Sequence, residues 1–152
     1  MEREVIMEFI GYKVEKISYI LNEAYTTKKA STGFPNIAIN IARSEENKNK
    51  FNIILGVKYN LENNLPYLIE IVIRGFFETN NILEDDEEKL EVVLSNGSAI
   101  MYPYMRALIT DITSKSDFSP IVLPTINFYK YVEKVYKEKK DFLVEAKYYK
   151  DN

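Results

Sequence analysis

Apolar and polar residues alternate along much of the chain up to Asn80 and recur at helical spacing after it. In NIAINIA, Ile37, Ile39 and Ile41 fall on one side and Ala38 and Asn40 on the other. In FNIILGVKY, Phe51, Ile53, Leu55, Val57 and Tyr59 share a face. In PYLIEIVIRGFFE, Ile69, Ile71 and Ile73 line one face, while Leu68, Glu70, Val72 and Arg74 line a mixed face of the kind that meets water. A period of two marks half-buried strands. EVIMEFIGYKVEKISYIL alternates imperfectly, and Gly11 marks a bulge or a change of face. No helix-length insertion separates the second, third and fourth strands, which predicts an antiparallel meander.

The chain after Asn80 reads as helix. DDEEKLEVVLSNG predicts a short acid-started helix stopping near Gly97. In SAIMYPYMRALITDITSKS, Tyr104 or Met105, Leu108 and Ile112 recur as a stripe, and Pro103 must occupy the first turn or kink the helix. NFYKYVEKVYKEKKDFLVEA is amphipathic, and the tail, residues 145–152, is expected to fray. Strands followed by helices give an α+β fold: a four-stranded antiparallel sheet, then a long helix and a C-terminal amphipathic helix on one face. A few helices cover only part of a four-stranded sheet. The isoleucine row of strand four, with Tyr104, Leu108 and Ile112, is therefore expected at an oligomer interface.

The composition narrows the chemistry. The 152 residues fit one domain with a real core, and 46% hydrophobic and 28% charged residues are ordinary globular values. A net charge of −3 gives no reason to expect nucleic acid, and no apolar run suggests a membrane span. The N-terminus lacks the layout of a secretion signal, so the expected location is cytoplasmic. With no cysteine and no histidine, disulfides, thiolate or imidazole metal sites and the usual neutral-pH base are excluded. An enzyme would have to work with carboxylates, lysine, tyrosine or serine, and no convergent acid–base set is visible. Neither enzymatic activity nor a cofactor is expected.

SDFSPIVLPTINF is an apolar stretch that two prolines, Pro120 and Pro124, keep from becoming helix. The wider segment YPYMRALITDITSKSDFSPIVLPTINF closely resembles the signature region of the SecB export chaperones, through Pro103, Tyr104, Arg106, Asp111, Thr113, Ser114, Phe118, Pro120, Leu123, Pro124, Ile126, Asn127 and Phe128. Ser119 and Thr125 stand where that family often has proline. The resemblance implies a cytoplasmic, ATP-independent holdase, a homotetramer built as a dimer of dimers, without metal or cofactor, holding unfolded polypeptides in apolar surface grooves for protein export. It places Phe118, Ile121, Leu123, Ile126, Phe128 and Tyr131 in the client groove, and Leu68 and Glu70 on the sheet face that docks the SecA motor. Lys16 and Ile20 stand where that docking face carries acids in the family. Charge reversal there opposes a basic partner, which leaves room for a chaperone dedicated to an antitoxin.

Plainer accounts stand beside these. The apolar loop fills the seam between sheet and helix as core; Arg106 and Asp111 form polar links across a subunit contact; Glu84 to Glu88 is a solvated helix start. A small-molecule-binding or carboxylate-based enzymatic domain is the alternative of another class.

Overall fold

A computed structural model describes residues 7–80, 87–138 and 147–149. Strands β1 (Met7–Leu21), β2 (Asn36–Ser44), β3 (Lys50–Tyr59) and β4 (Tyr67–Thr79) precede helices α1 (Glu87–Thr113) and α2 (Phe128–Glu138). A short strand β5 (Lys147–Tyr149) follows. The four long strands pair antiparallel, in the order β1-β4-β3-β2, and β5 adds to β2 in parallel. The α+β plan expected from the sequence is the one observed.

The simple meander is corrected in one respect. Strands β2, β3 and β4 follow one another, but β1 lies against β4, which makes a Greek key. The connection 22–35 is long enough to carry the chain from one edge of the sheet to the other. Residues 147–149, expected to fray, pair with Ala42–Ser44.

Strand β1 shows why its alternation was broken. Its register with β4 slips between Phe9 and Gly11 and again between Val14 and Lys16. Each slip moves one extra residue out of step, so the side facing the helices is carried first by Phe9, then by Tyr12 and Val14, then by Ile17 and Tyr19.

Helix α1 runs unbroken through both expected interruptions. Gly97 does not stop it. A Cβ there would collide with the Ile53 Cδ1, so glycine admits the close approach of the helix to β3. Gly75 is the matching notch in β4, where a Cβ would meet the Met101 sulfur at 2.6 Å. Pro103 sits mid-helix on an exposed surface together with Ala99, whose carbonyl it leaves without a helical donor; water can take that place. Of the acidic run, Glu87 and Glu88 belong to α1, and residues 84–86 lie outside the described ones.

The core lies between α1 and one face of the sheet. Phe51, Ile53, Leu55, Val57 and Tyr59 of β3 meet Leu94, Met101, Met105 and Ile109 of α1 there. Ile69, Ile71 and Ile73 are buried in this layer, at most 2% exposed, so the interface expected of them is corrected: α1 already covers the row. Phe128 and Val132 pack α2 beside α1, and Phe128 meets Tyr102 edge-on at 5.1 Å.

Candidate functional site

The segment 114–127 joins α1 to α2 without regular structure, and its backbone is held by side-chain hydroxyls. Thr113 Oγ1 accepts from the Ile121 amide at 2.8 Å and donates to the Ile109 carbonyl at 2.7 Å. Thr110 donates to the Ile121 carbonyl at 2.7 Å, Tyr67 to that of Ser119, and Tyr102 to that of Pro124. Prolines 120 and 124 remove donors that would otherwise need partners. An apolar loop can thus lie on a protein without stranding its polar groups.

Pinning fixes which side chains face out. Leu123 is 1% exposed and plugs the core, whereas its neighbour Val122 is 66% exposed. Phe118 is 46% exposed, and Ile121 and Ile126 are partly buried against the core. In an extended segment neighbours point to opposite sides, so a buried Leu123 presents Val122.

The crossover connection 22–35 is held by asparagines from the turn between β3 and β4. Asn63 donates from Nδ2 to the carbonyls of Thr32 and Phe34, and Asn64 to those of Thr26 and Lys29. Asn22 donates to the Leu65 carbonyl, and Tyr59 to that of Gly33. Asn64 adopts φ 50°, a left-handed conformation that asparagine tolerates well. The two connections meet where Tyr25 packs edge-on against Phe118, ring centres 6.0 Å apart. Phe34, 57% exposed, adds a further aromatic to the crossover connection.

Burial raises the phenol pKa of Tyr59, Tyr67, Tyr102 and Tyr131. Each of the four donates to a backbone carbonyl, Tyr131 to Ile37 at 2.6 Å. A buried phenol stays protonated, so Tyr59, Tyr67 and Tyr102 act as permanent donors that fasten the two connections, and Tyr131 ties α2 to strand β2.

Among the six residues expected in a client groove, Phe118 is exposed, Ile121, Ile126 and Tyr131 are half-buried, and Leu123 and Phe128 are sealed in the core. The last two are corrected from groove wall to anchor. Of the helix residues expected at an interface, Tyr104 is 40% exposed, and Leu108 and Ile112 are partly buried. Sequence reasoning missed the asparagines and hydroxyls that hold the two connections, and also Val122, Tyr25 and Phe34. Consecutive asparagines in LENN were the one available signal of a capped, stapled turn.

On the opposite face of the sheet, Glu70 lies between two lysines. Lys16 pairs with Oε1, and Lys58 stands 3.6 Å from Oε2. The hydrogen bond from Lys16, helped by the charges of Lys16 and Lys58, holds the Glu70 pKa below its usual value, against the opposing effect of desolvation. Leu68 and Ile20 are paired across β4 and β1 beside it. Together with Ser18, Asn60 and Leu61 these residues line an open concavity of about 370 Å³. Among the described residues no group of three acidic side chains gathers as a metal site, and no helix is long and apolar enough to cross a membrane.

The family model for preprotein translocase subunit SecB matches residues 14–141. An uncharacterised protein of Methanocaldococcus jannaschii is 30% identical over 125 residues, 80% of this chain and 79% of that protein. The protein-export protein SecB of Alcanivorax borkumensis is 25% identical over 113 residues, covering 74% of this chain and 68% of the relative. In structure, the SecB-like chaperone of Mycobacterium tuberculosis in complex with an antitoxin peptide superposes with a TM-score of 0.62 at 14% identity, covering 79% of this chain and 87% of that one. A protein of unknown function from Streptococcus agalactiae gives 0.53 at 16% identity, covering 80% and 98%. These two share the fold; the family match rests on the sequence, over most of its length. The chain belongs to the SecB family.

Proposed function

We propose that this protein is an ATP-independent holdase that binds unfolded or nascent polypeptide on the apolar surface of the 114–127 connection. One observation carries the reading: Phe118 and Val122 stand exposed on a segment whose backbone is already hydrogen-bonded by Thr110, Thr113, Tyr67 and Tyr102. A client offers apolar side chains without a defined shape, and its receptor must keep apolar surface from collapsing when empty. A prepinned loop loses little entropy when the client arrives. Ile121 and Ile126 of the same segment are half-buried, and Tyr25 extends the exposed surface toward the crossover connection. The action is passive; release follows folding, capture by a downstream partner or dilution.

The same reading makes the protein a homotetramer in the cytoplasm. Val14, Ile17 and Leu21 of β1 are 40%, 47% and 62% exposed on the helix side of the sheet, and Ile100 and Tyr104 of α1 are exposed as well. A second copy would cover them. Ile17→Asp should then dissociate the assembly without unfolding the protomer, read by light scattering after size exclusion; an unchanged mass would remove β1 from the interface.

A chaperone serving an antitoxin is the second reading. It is favoured over handover to an export motor because the Glu70 carboxylate, which a basic docking surface would seek, is already paired with Lys16 and Lys58. The related fold bound to an antitoxin peptide agrees with it. The decisive experiment is suppression of aggregation of an unrelated denatured protein, without nucleotide, near one client per assembly. Combined Phe118→Ser and Val122→Ser should abolish suppression while leaving the melting temperature unchanged. Full suppression by that variant would overturn the site. Suppression limited to an antitoxin would select the second reading.

A further inference from the structure

We propose that the concavity on the outer sheet face, between β1, β4 and β3, takes a short extended peptide segment in which a carboxylate lies beside apolar side chains. Two observations converge on that occupant. The first is charge. The charged residues lining the concavity are Lys16, Lys58 and Glu70, two cations to one anion. Glu70 is one carboxylate serving two ammonium groups, and each ammonium carries three donors. Lys58 stands at 3.6 Å, beyond a good hydrogen bond, and both lysine side chains are 56% exposed. An arriving carboxylate can take donors that Glu70 leaves unfilled; an arriving ammonium meets a net positive site whose acid is occupied.

The second is shape. Ile20 and Leu61 are 59% and 61% exposed on the rim, and Leu68 is half-buried on the floor. Apolar surface beside a charged pair suits a segment whose side chains alternate in character. At about 370 Å³ the space lies at the small end of ligand pockets, enough for a few side chains of a linear segment and too little for a folded partner. Arg74 and Glu15 nearby pair with each other at 3.1 Å and leave the local charge balance as it is.

The site is independent of the client loop, which lies on the helix side of the sheet. The experiment follows backbone amide shifts of the 15N-labelled full chain during titration with acetyl-Leu-Glu-Leu-Glu-Leu-amide, and with the same peptide carrying Lys or Gln for Glu. The acidic peptide should shift amides of Lys16, Ser18, Lys58 and Leu68, and the lysine peptide should leave them in place. Lys58→Glu should weaken the acidic peptide about tenfold, and raising salt should weaken it as well. Glu70→Gln, which removes the competing anion, should tighten it about threefold. Circular dichroism establishes that both surface variants are folded. The proposal is overturned if the lysine peptide binds as well as the acidic one, if Glu70→Gln weakens binding, or if the shifts fall only on residues 114–128. The Phe118→Ser, Val122→Ser variant should bind the acidic peptide normally, so failure of the holdase reading and failure of this site give different results.

Discussion

The two long connections of this protein solve one problem in different ways. Both 22–35 and 114–127 run without regular hydrogen bonding, and in both the backbone is satisfied by side chains from neighbouring elements. The crossover connection, polar in sequence, is stapled mainly by the carboxamides of Asn63 and Asn64, with one hydroxyl, that of Tyr59, on Gly33. The helix-to-helix connection, apolar in sequence, is fastened by hydroxyls of Thr110, Thr113, Tyr67 and Tyr102. An asparagine amide can supply two donors and bridge several carbonyls. A hydroxyl buried beside an apolar loop satisfies one or two groups and brings little polar surface with it. The difference leaves the second connection both ordered and greasy, as the proposed holdase role would require.

The sharpest way to break that comparison is to remove the plug of the apolar connection. Leu123→Asp buries a charge in the core and should lower stability by at least about 4 kcal/mol, read from the denaturant midpoint. A fold that tolerates it would mean the loop is not anchored there. Thr113→Val removes the acceptor of the Ile121 amide from a fully buried position and should cost about 1–3 kcal/mol. Faster hydrogen exchange should follow in 114–127 and not in 22–35. Asn63→Ala should reverse that pattern, loosening 22–35 at a similar cost of about 1–3 kcal/mol. Uniform loosening in either variant would show that the connections are not separately held. Phe118→Ser with Val122→Ser should change stability by less than about 0.5 kcal/mol, since both side chains are exposed, while client holding is lost.

The smallest effect belongs to the opposite sheet face. Glu70 has a lowered pKa in the folded state, so its ion pairs contribute fully above the unfolded carboxylate pKa. That contribution disappears as pH falls through the folded value. Because both lysine partners are more than half exposed to screening solvent, the change should be at most about 0.5 kcal/mol, absent in Glu70→Gln. A larger acid loss removed by that substitution would mean that Glu70 is less solvent-screened than its exposure implies.

Much of the fold was legible. The period-two rows of β2, β3 and β4 are local properties, and the structure places their odd-numbered residues, such as Ile53 and Ile71, on the helix side as a set. The bulge at Gly11 was visible, but the second slip, at Val14 and Lys16, carries no glycine or proline and left only a disturbed alternation. Gly97 was misread as a helix end because a glycine that ends a helix and one that admits a neighbouring strand look alike in sequence. The candidate site was half visible. The prolines and the family resemblance pointed to segment 116–128; which of its side chains face outward was not written there.

The sequence by itself determined that strands precede helices, that segment 116–128 is apolar yet not helical, and which family the chain belongs to, because periodicity, prolines and motif are written along neighbouring residues. Only the tertiary structure decided that β1 crosses to β4, that Leu123 points in while Val122 points out, and that Ile69, Ile71 and Ile73 are covered within one protomer. Those outcomes depend on which distant hydroxyl, amide or helix reaches each residue. Such contacts form between positions far apart in the chain, and no local pattern encodes them.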